Sequence, residues 1–220
     1  MIKYIDVGCG DHLSFEKPWR GRHIEIALIV DPFLKFDSKG LVTRVFTNRK
    51  KIRTYFCKKA IYETEGNKEF IICNKRKCSS LLKPNYAYLK QRNGIVDPRY
   101  LIWKKINVDC CRLDTLLDLQ KHYSYDFIKC DAQGVDIEVL KSAGDYLTDH
   151  IVGIHVELWF EPMYKNMILF EEANRFLNEK GFHLYRSLRR KERGWFDDFL
   201  YIRNDNAKKE QIKFIKEVYF

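Results

Sequence analysis

Residues 125–141 read YDFIKCDAQGVDIEVLK. A short apolar run through Phe127, Ile128 and Cys130 ends at Asp131, and Gly134 marks a turn. Ile137 and Leu140 then recur at helical spacing. The run is too short for a helix and suits a buried strand, so the segment reads as strand, turn and helix. In an open parallel sheet, ligands sit beyond the carboxyl ends of the strands, where this arrangement puts Asp131 and Gln133. The competing reading makes Asp131 a cap for the helix starting near Val135, with Gln133 satisfying loop backbone groups.

Similar runs occur on either side. KYIDVG, HIEIALIVDPF and IVGIHVELWF are near-continuous apolar stretches, as expected of central strands covered on both faces. In GVDIEVLKSAGDYLTD, Ile137, Leu140 and Leu147 share a helical face and Glu138, Lys141 and Asp145 are expected to face solvent. NMILFEEANRFLNEKGF predicts a helix striped by Leu169, Ala173, Phe176 and Leu177 and stopped at Gly181. FHLYRS and DFLYIR flank a polar stretch and read as an antiparallel pair at the sheet edge. RLDTLLDLQKHY is expected to be a helix capped near Asp114. The segment 55–82 breaks the alternation: two β-rich runs around TEGNKE predict a hairpin, followed by the polar loop NKRKCSSLLKPN.

The 220 residues, 45% hydrophobic and 15% aromatic, are enough for one substantial core, so a single domain over 1–220 is expected, with an insertion at about 55–82. No apolar run approaches the roughly 18 to 20 residues of a membrane span, and the chain enters its first strand with no leader. A cytoplasmic protein without membrane contact is the expectation. The seven cysteines lack zinc-ligand spacing and read as reduced, buried thiols. The net charge of +10 favours an anionic partner: nucleic acid, lipid or a phosphorylated substrate.

In YIDVGCGDH a strand ends at Asp6 and turns through Gly8 and Gly10, whose bare backbone can approach a ligand. The dinucleotide spacing GxGxxG fails at Leu13, and His12 denies a third glycine two residues on from Gly10. The next strand ends in Asp31, placed to accept two ribose hydroxyls, so Gly8, Gly10 and Asp31 together point to an adenosine-containing ligand. A cap beside Pro32 is the structural alternative for Asp31.

Taken in order, IDVGCG, IVDP, KKAIYETEGNKEFIIC with CSSLL, CRLDTLL, DFIKCDAQGVDIEVLKSAGDYL and HVELWF resemble the FkbM family of S-adenosylmethionine-dependent methyltransferases over nearly the whole chain. The resemblance implies an α/β, Rossmann-like class I methyltransferase fold. Its mostly parallel seven-stranded sheet is ordered 3-2-1-4-5-7-6, with the seventh strand antiparallel and a β-hairpin inserted. It also implies that Asp6, Gly8, Gly10 and Asp31 hold the cofactor, with Asp109 in CCRLD near the adenine and Asp131 beside the methyl group. LSFEKPWRGR, holding Pro18 and Gly21, leaves little room for the helix that follows the glycine turn in such enzymes.

Methyl transfer requires an aligned acceptor and a destination for its proton. Asp131, Gln133 and Glu157 are the catalytic candidates, with Asp136 nearby. The expected reaction is O-methylation of a sugar or natural-product hydroxyl. Asp131 and Glu157 are two carboxylates at adjacent strand ends and would suit Mg²⁺, though two ligands make a weak metal signature. His155 is expected to pack within its strand. Three basic segments, TNRKKIR, NKRKC and RSLRRKERGW, leave open an RNA methyltransferase in which Arg189, Arg190, Lys191 and Arg193 bind backbone and Trp195 stacks a base. A non-catalytic module binding cofactor or nucleic acid is the third alternative.

Overall fold

The computed structural model describes residues 1–10, 19, 23–35, 37–38, 42–45, 51–119, 124–188 and 194–220, with 42–45 described by backbone alone. The strands are β1 (Ile2–Val7), β2 (Ile24–Val30), β3 (Val42–Val45), β4 (Lys51–Cys57), β5 (Ala60–Ile61), β6 (Gly66–Cys73), β7 (Ile102–Cys111), β8 (Phe127–Cys130), β9 (Gly153–Trp159), β10 (Phe182–Ser187) and β11 (Phe196–Arg203). The helices are α1 (Tyr86–Asn93), α2 (Leu113–Asp118), α3 (Asp136–Lys141), α4 (Tyr146–Asp149), α5 (Phe170–Glu179) and α6 (Lys209–Val218).

The main sheet runs β4-β2-β1-β8-β9-β11-β10, with β3 added antiparallel outside β4. Counted along its own strands this is the order 3-2-1-4-5-7-6, and β11 is antiparallel to both neighbours. It is the Rossmann-like methyltransferase arrangement. Leu113, Leu117, Ile137, Leu140, Ala173 and Leu177 of three helices cover one face, where Ile5, Leu28, Ile128 and Val156 lie. The other face carries Ile2, Tyr4, Phe127 and Leu200 and is covered by Trp19 and by Ile215 and Tyr219 at the chain's end. Tyr219 Oη accepts from Trp19 Nε1 at 2.8 Å and is 2.9 Å from His155 Nδ1, so His155 is a buried packing residue of its strand, as expected.

On this second face the alternate residues turn polar toward the strand ends. Asp6 of β1 pairs in register with Lys129 of β8, which pairs with His155 of β9. All three are buried, and the row crosses the sheet just below the turns that follow β1 and β8.

Several local expectations change. β6 does not form a hairpin across TEGNKE: it pairs antiparallel with β7, whose other edge takes β5 in parallel, giving a separate three-stranded sheet. A turn signal shows where a chain reverses but not which strand it meets, and β7 offers a longer edge than β5. The helix predicted over GVDIEVLKSAGDYLTD breaks into α3 and α4 at Gly144, which has φ of 55°. The first amides of α2 are satisfied by Ser142, whose Oγ and carbonyl accept from Leu113 N and Asp114 N at 3.1 and 3.0 Å. Asp114 Oδ1 accepts from the next amide, Thr115 N, at 2.7 Å, and its carboxylate also binds the Arg112 guanidinium. Gly181 does follow α5, at φ of 80°. LSFEKPWRGR lies outside the described residues except for Trp19, as do 189–193 and most of TNRKKIR.

Glu138 is buried at 8% exposure rather than solvated, and its Oε2 has no hydrogen-bond partner. Burial, reinforced by Asp136 and Glu63, raises its pKa from 4.5 to about 7. Between these two values the folded chain keeps a proton that the unfolded chain has released, so stability falls as pH rises through this window. Glu138→Gln is expected to flatten the fall, making the variant more stable than the parent at pH 8 by on the order of 1–3 kcal/mol and little changed at pH 4. Urea midpoints at the two pH values read this directly, and parallel pH profiles would refute it.

Candidate functional site: the cavity at the carboxyl ends of β1, β2 and β8

The turn after β1 requires both of its glycines. Gly8 has φ of 84°, and a Cβ on it would lie 2.0 Å from the Asp131 carbonyl oxygen, so the β1 and β8 turns are in backbone contact there. Gly10 has φ of 64°, and among the described residues a Cβ there would meet nothing within 4 Å. Its N–H donates to Asp31 Oδ2 at 2.7 Å, while Asp31 Oδ1 accepts from Phe33 N at 2.8 Å. The capping reading of Asp31 therefore holds at the turn beside Pro32, and the same carboxylate ties the glycine turn to the end of β2.

These turns form one side of a cavity of about 570 Å³. Asp6, Gly8, Gly10 and Asp31 line it, with Lys129, Asp131 and Gln133 beside them. Its other wall comes from the small sheet and the loop after it, through Ala60, Ile61, Phe70, Ile72, Arg76, Lys77 and Ser79. Cys9 also faces it, but burial, with Asp6 and Asp31 adding to the effect, pushes its thiol well above the ordinary range, so it is no nucleophile.

The turn after β8 is held from several directions. Asp136 accepts from Ala132 N at 2.7 Å and Gly134 N at 3.0 Å. It is thus the cap that the sequence reading considered for Asp131, and burial raises its pKa to about 6. Gln133 has the left-handed φ of 53°, uncommon for a residue with a side chain. Its carbonyl accepts from Ser80 Oγ at 2.7 Å, and its Nε2 donates to Asp131 Oδ1 at 2.9 Å and Glu157 Oε1 at 3.1 Å. Such strain persists only where the surroundings enforce it, and here they aim the amide between two carboxylates.

Asp131 and Gln133 thus come together at the cavity. Glu157 is buried at 2% exposure, does not line it and acts on Gln133 from behind. Where Mg²⁺ was expected between Asp131 and Glu157, the Gln133 amide bridges the two carboxylates, and among the described residues no three His, Cys, Asp or Glu side chains gather. Asp109 also falls outside the cavity, half-exposed on β7 and paired with Lys59 at 2.8 Å. Lys59 itself reaches the cavity wall.

Lys129 was not read from the sequence as a site residue. It is 3% exposed, with Nζ 3.4 Å from Asp6 Oδ1 and 3.8 Å from Asp131 Oδ2. A buried ammonium needs such carboxylates. The available signal was a lysine inside the otherwise apolar FIKC, in the same alternation as Asp6. Trp195 was expected to be able to stack a base. The Arg92 and Arg99 guanidinium carbons instead lie 4.7 and 5.2 Å from its ring centroid, so the ring is engaged within the chain.

Residues 83–184 match the family model described as methyltransferase FkbM domain. No curated protein and no solved structure matches the chain. The matched stretch takes in Asp131, Gln133 and Glu157, while the glycine turn and Asp31 precede it. No helix among the described residues is long and apolar enough to cross a membrane. The sheet order and this match agree: residues 83–184 are similar to a methyltransferase FkbM domain, and they lie in a sheet of the Rossmann-like methyltransferase order.

Proposed function

We propose that this chain moves a methyl group from S-adenosylmethionine to a hydroxyl on a sugar or natural-product acceptor, with Asp131 taking up the hydroxyl proton. The observation that carries the reading is the contact of the two turns: Gly8 touches the Asp131 backbone, so a ligand on the glycine turn lies beside the Asp131 carboxylate. The residues fit the cofactor. Among the described residues Gly10 leaves room for its amino-acid part, Asp31 lines the cavity as a carboxylate of the kind that accepts from ribose hydroxyls, and Ala60, Ile61 and Phe70 supply apolar wall for a base. The cavity of about 570 Å³ lies within the range usual for small-molecule sites.

When bound, the cofactor supplies an electrophilic methyl on a sulfonium. The protein's part is alignment and proton transfer. Gln133 Nε2 holds Asp131 Oδ1, so Oδ2 remains to accept the acceptor's O–H as the new C–O bond forms. Lys129 balances the buried Asp6 and faces Asp131 Oδ2. All seven cysteines are free thiols, which supports a reducing, cytoplasmic setting.

Calorimetric titration with S-adenosylhomocysteine tests the shared premise. Asp31→Ala is expected to weaken binding at least about tenfold, since a hydrogen bond to a charged group contributes roughly 1.5–3 kcal/mol. Absence of binding to the parent chain would overturn the reading, and unchanged affinity in the variant would remove Asp31 from it.

A further inference from the structure

The cations around the cavity differ in how they are compensated. Lys129 lies between Asp6 and Asp131, and Lys59 is paired with Asp109 at 2.8 Å. Arg76 and Lys77 also line the cavity, both exposed, and among the described residues neither forms an ion pair. Their place is built. The Arg76 guanidinium carbon lies 5.5 Å from the Phe33 ring centroid, on the residue whose amide binds Asp31. Just after them, Ser79 Oγ accepts from Cys73 N at 3.1 Å and Ser80 Oγ donates to the Gln133 carbonyl at 2.7 Å.

Lys77 is three residues from Ser80, so at most about 11 Å of backbone separates it from the anchor on Gln133. Among the described residues, two cations without an ion pair therefore line the same cavity as Asp131, in a chain of net charge +10. A neutral acceptor would leave them without a counter-charge beside it, whereas an acidic one would meet a planar guanidinium and an ammonium suited to oxyanions.

We infer that Arg76 and Lys77 form a subsite for an oxyanion, phosphate or carboxylate, carried by the methyl acceptor. The inference rests on the proposed methyl transfer at Asp131. The acceptor is then a small acidic molecule, such as a sugar phosphate or sugar acid, whose reacting hydroxyl and charged group fit within the one cavity.

Calorimetry on the chain saturated with S-adenosylhomocysteine tests this with glucose 6-phosphate, glucuronate and glucose. The charged sugars are expected to bind at least tenfold tighter than glucose, and whichever binds tighter identifies the oxyanion. Arg76→Gln with Lys77→Gln should erase that advantage and leave S-adenosylhomocysteine affinity unchanged. Equal binding of all three sugars, no binding of any, or an advantage that survives the double substitution overturns the subsite. A parallel tenfold loss of S-adenosylhomocysteine affinity also overturns it, because the pair would then serve the cofactor. If S-adenosylhomocysteine fails to bind the parent chain, the methyl-transfer reading fails instead, and the same titrations on the chain alone still decide the oxyanion subsite.

Discussion

Gly8→Ala is expected to destabilise the chain by about 2–5 kcal/mol, the sum of overpacking and a disfavoured left-handed backbone. The added methyl would sit 2.0 Å from the Asp131 carbonyl oxygen and 2.7 Å from its carbon, and both are backbone atoms with no rotamer to move into. The turns after β1 and β8 must part to admit it, at the point where cofactor and acceptor are proposed to meet. Stability of a domain this size is about 5–15 kcal/mol, so the loss is a large share. Gly10→Ala is the control: its φ of 64° is similar, but among the described residues nothing lies within 4 Å, so the backbone term of about 1–2 kcal/mol is the one expected. Urea unfolding separates the two, and equal losses would show that the contact with Asp131 carries no weight.

Asp131→Asn is expected to lower turnover by about 10²- to 10⁴-fold, the usual contribution of a positioned general base. Asparagine has the same shape and keeps an oxygen for Gln133 Nε2, now 2.9 Å from Oδ1, so the turn and the affinity for S-adenosylhomocysteine should persist. The loss should appear in kcat more than in KM, as for an interaction made in the transition state. Formation of S-adenosylhomocysteine in the presence of an accepted substrate measures it, and a variant within about threefold of the parent would end the assignment. Glu157→Gln is a milder change, because Glu157 does not line the cavity and meets it through Gln133.

Much of the site was legible locally. Asp31, Asp131 and Gln133 stand at strand ends beside turns, and short-range pattern is enough to find a polar group where an apolar run stops. Gly8 and Gly10 were read as a ligand turn for the freedom of their backbone, and both have positive φ. Asp109 shows the limit. It follows an apolar residue on β7 much as Asp31 follows Val30, but its strand belongs to the small sheet, and it holds Lys59 rather than facing the cavity.

By itself the amino-acid sequence determined which segments become central strands and where their turns fall, because burial on both faces demands apolar residues and reversal demands glycine at fixed places. Only the tertiary structure decided which side chains share a site. Asp6, Lys129 and His155 come from strands far apart in the chain and meet through register, and Asp136 rather than Asp131 takes the turn's amides. Glu138 loses its solvent to neighbours that its helix alone does not specify, and Arg76 and Lys77 reach the cavity because β6 pairs with β7 instead of folding back on β5. Strand partners and charge compensation are long-range properties: each depends on which distant group removes water from a side chain and which replaces it.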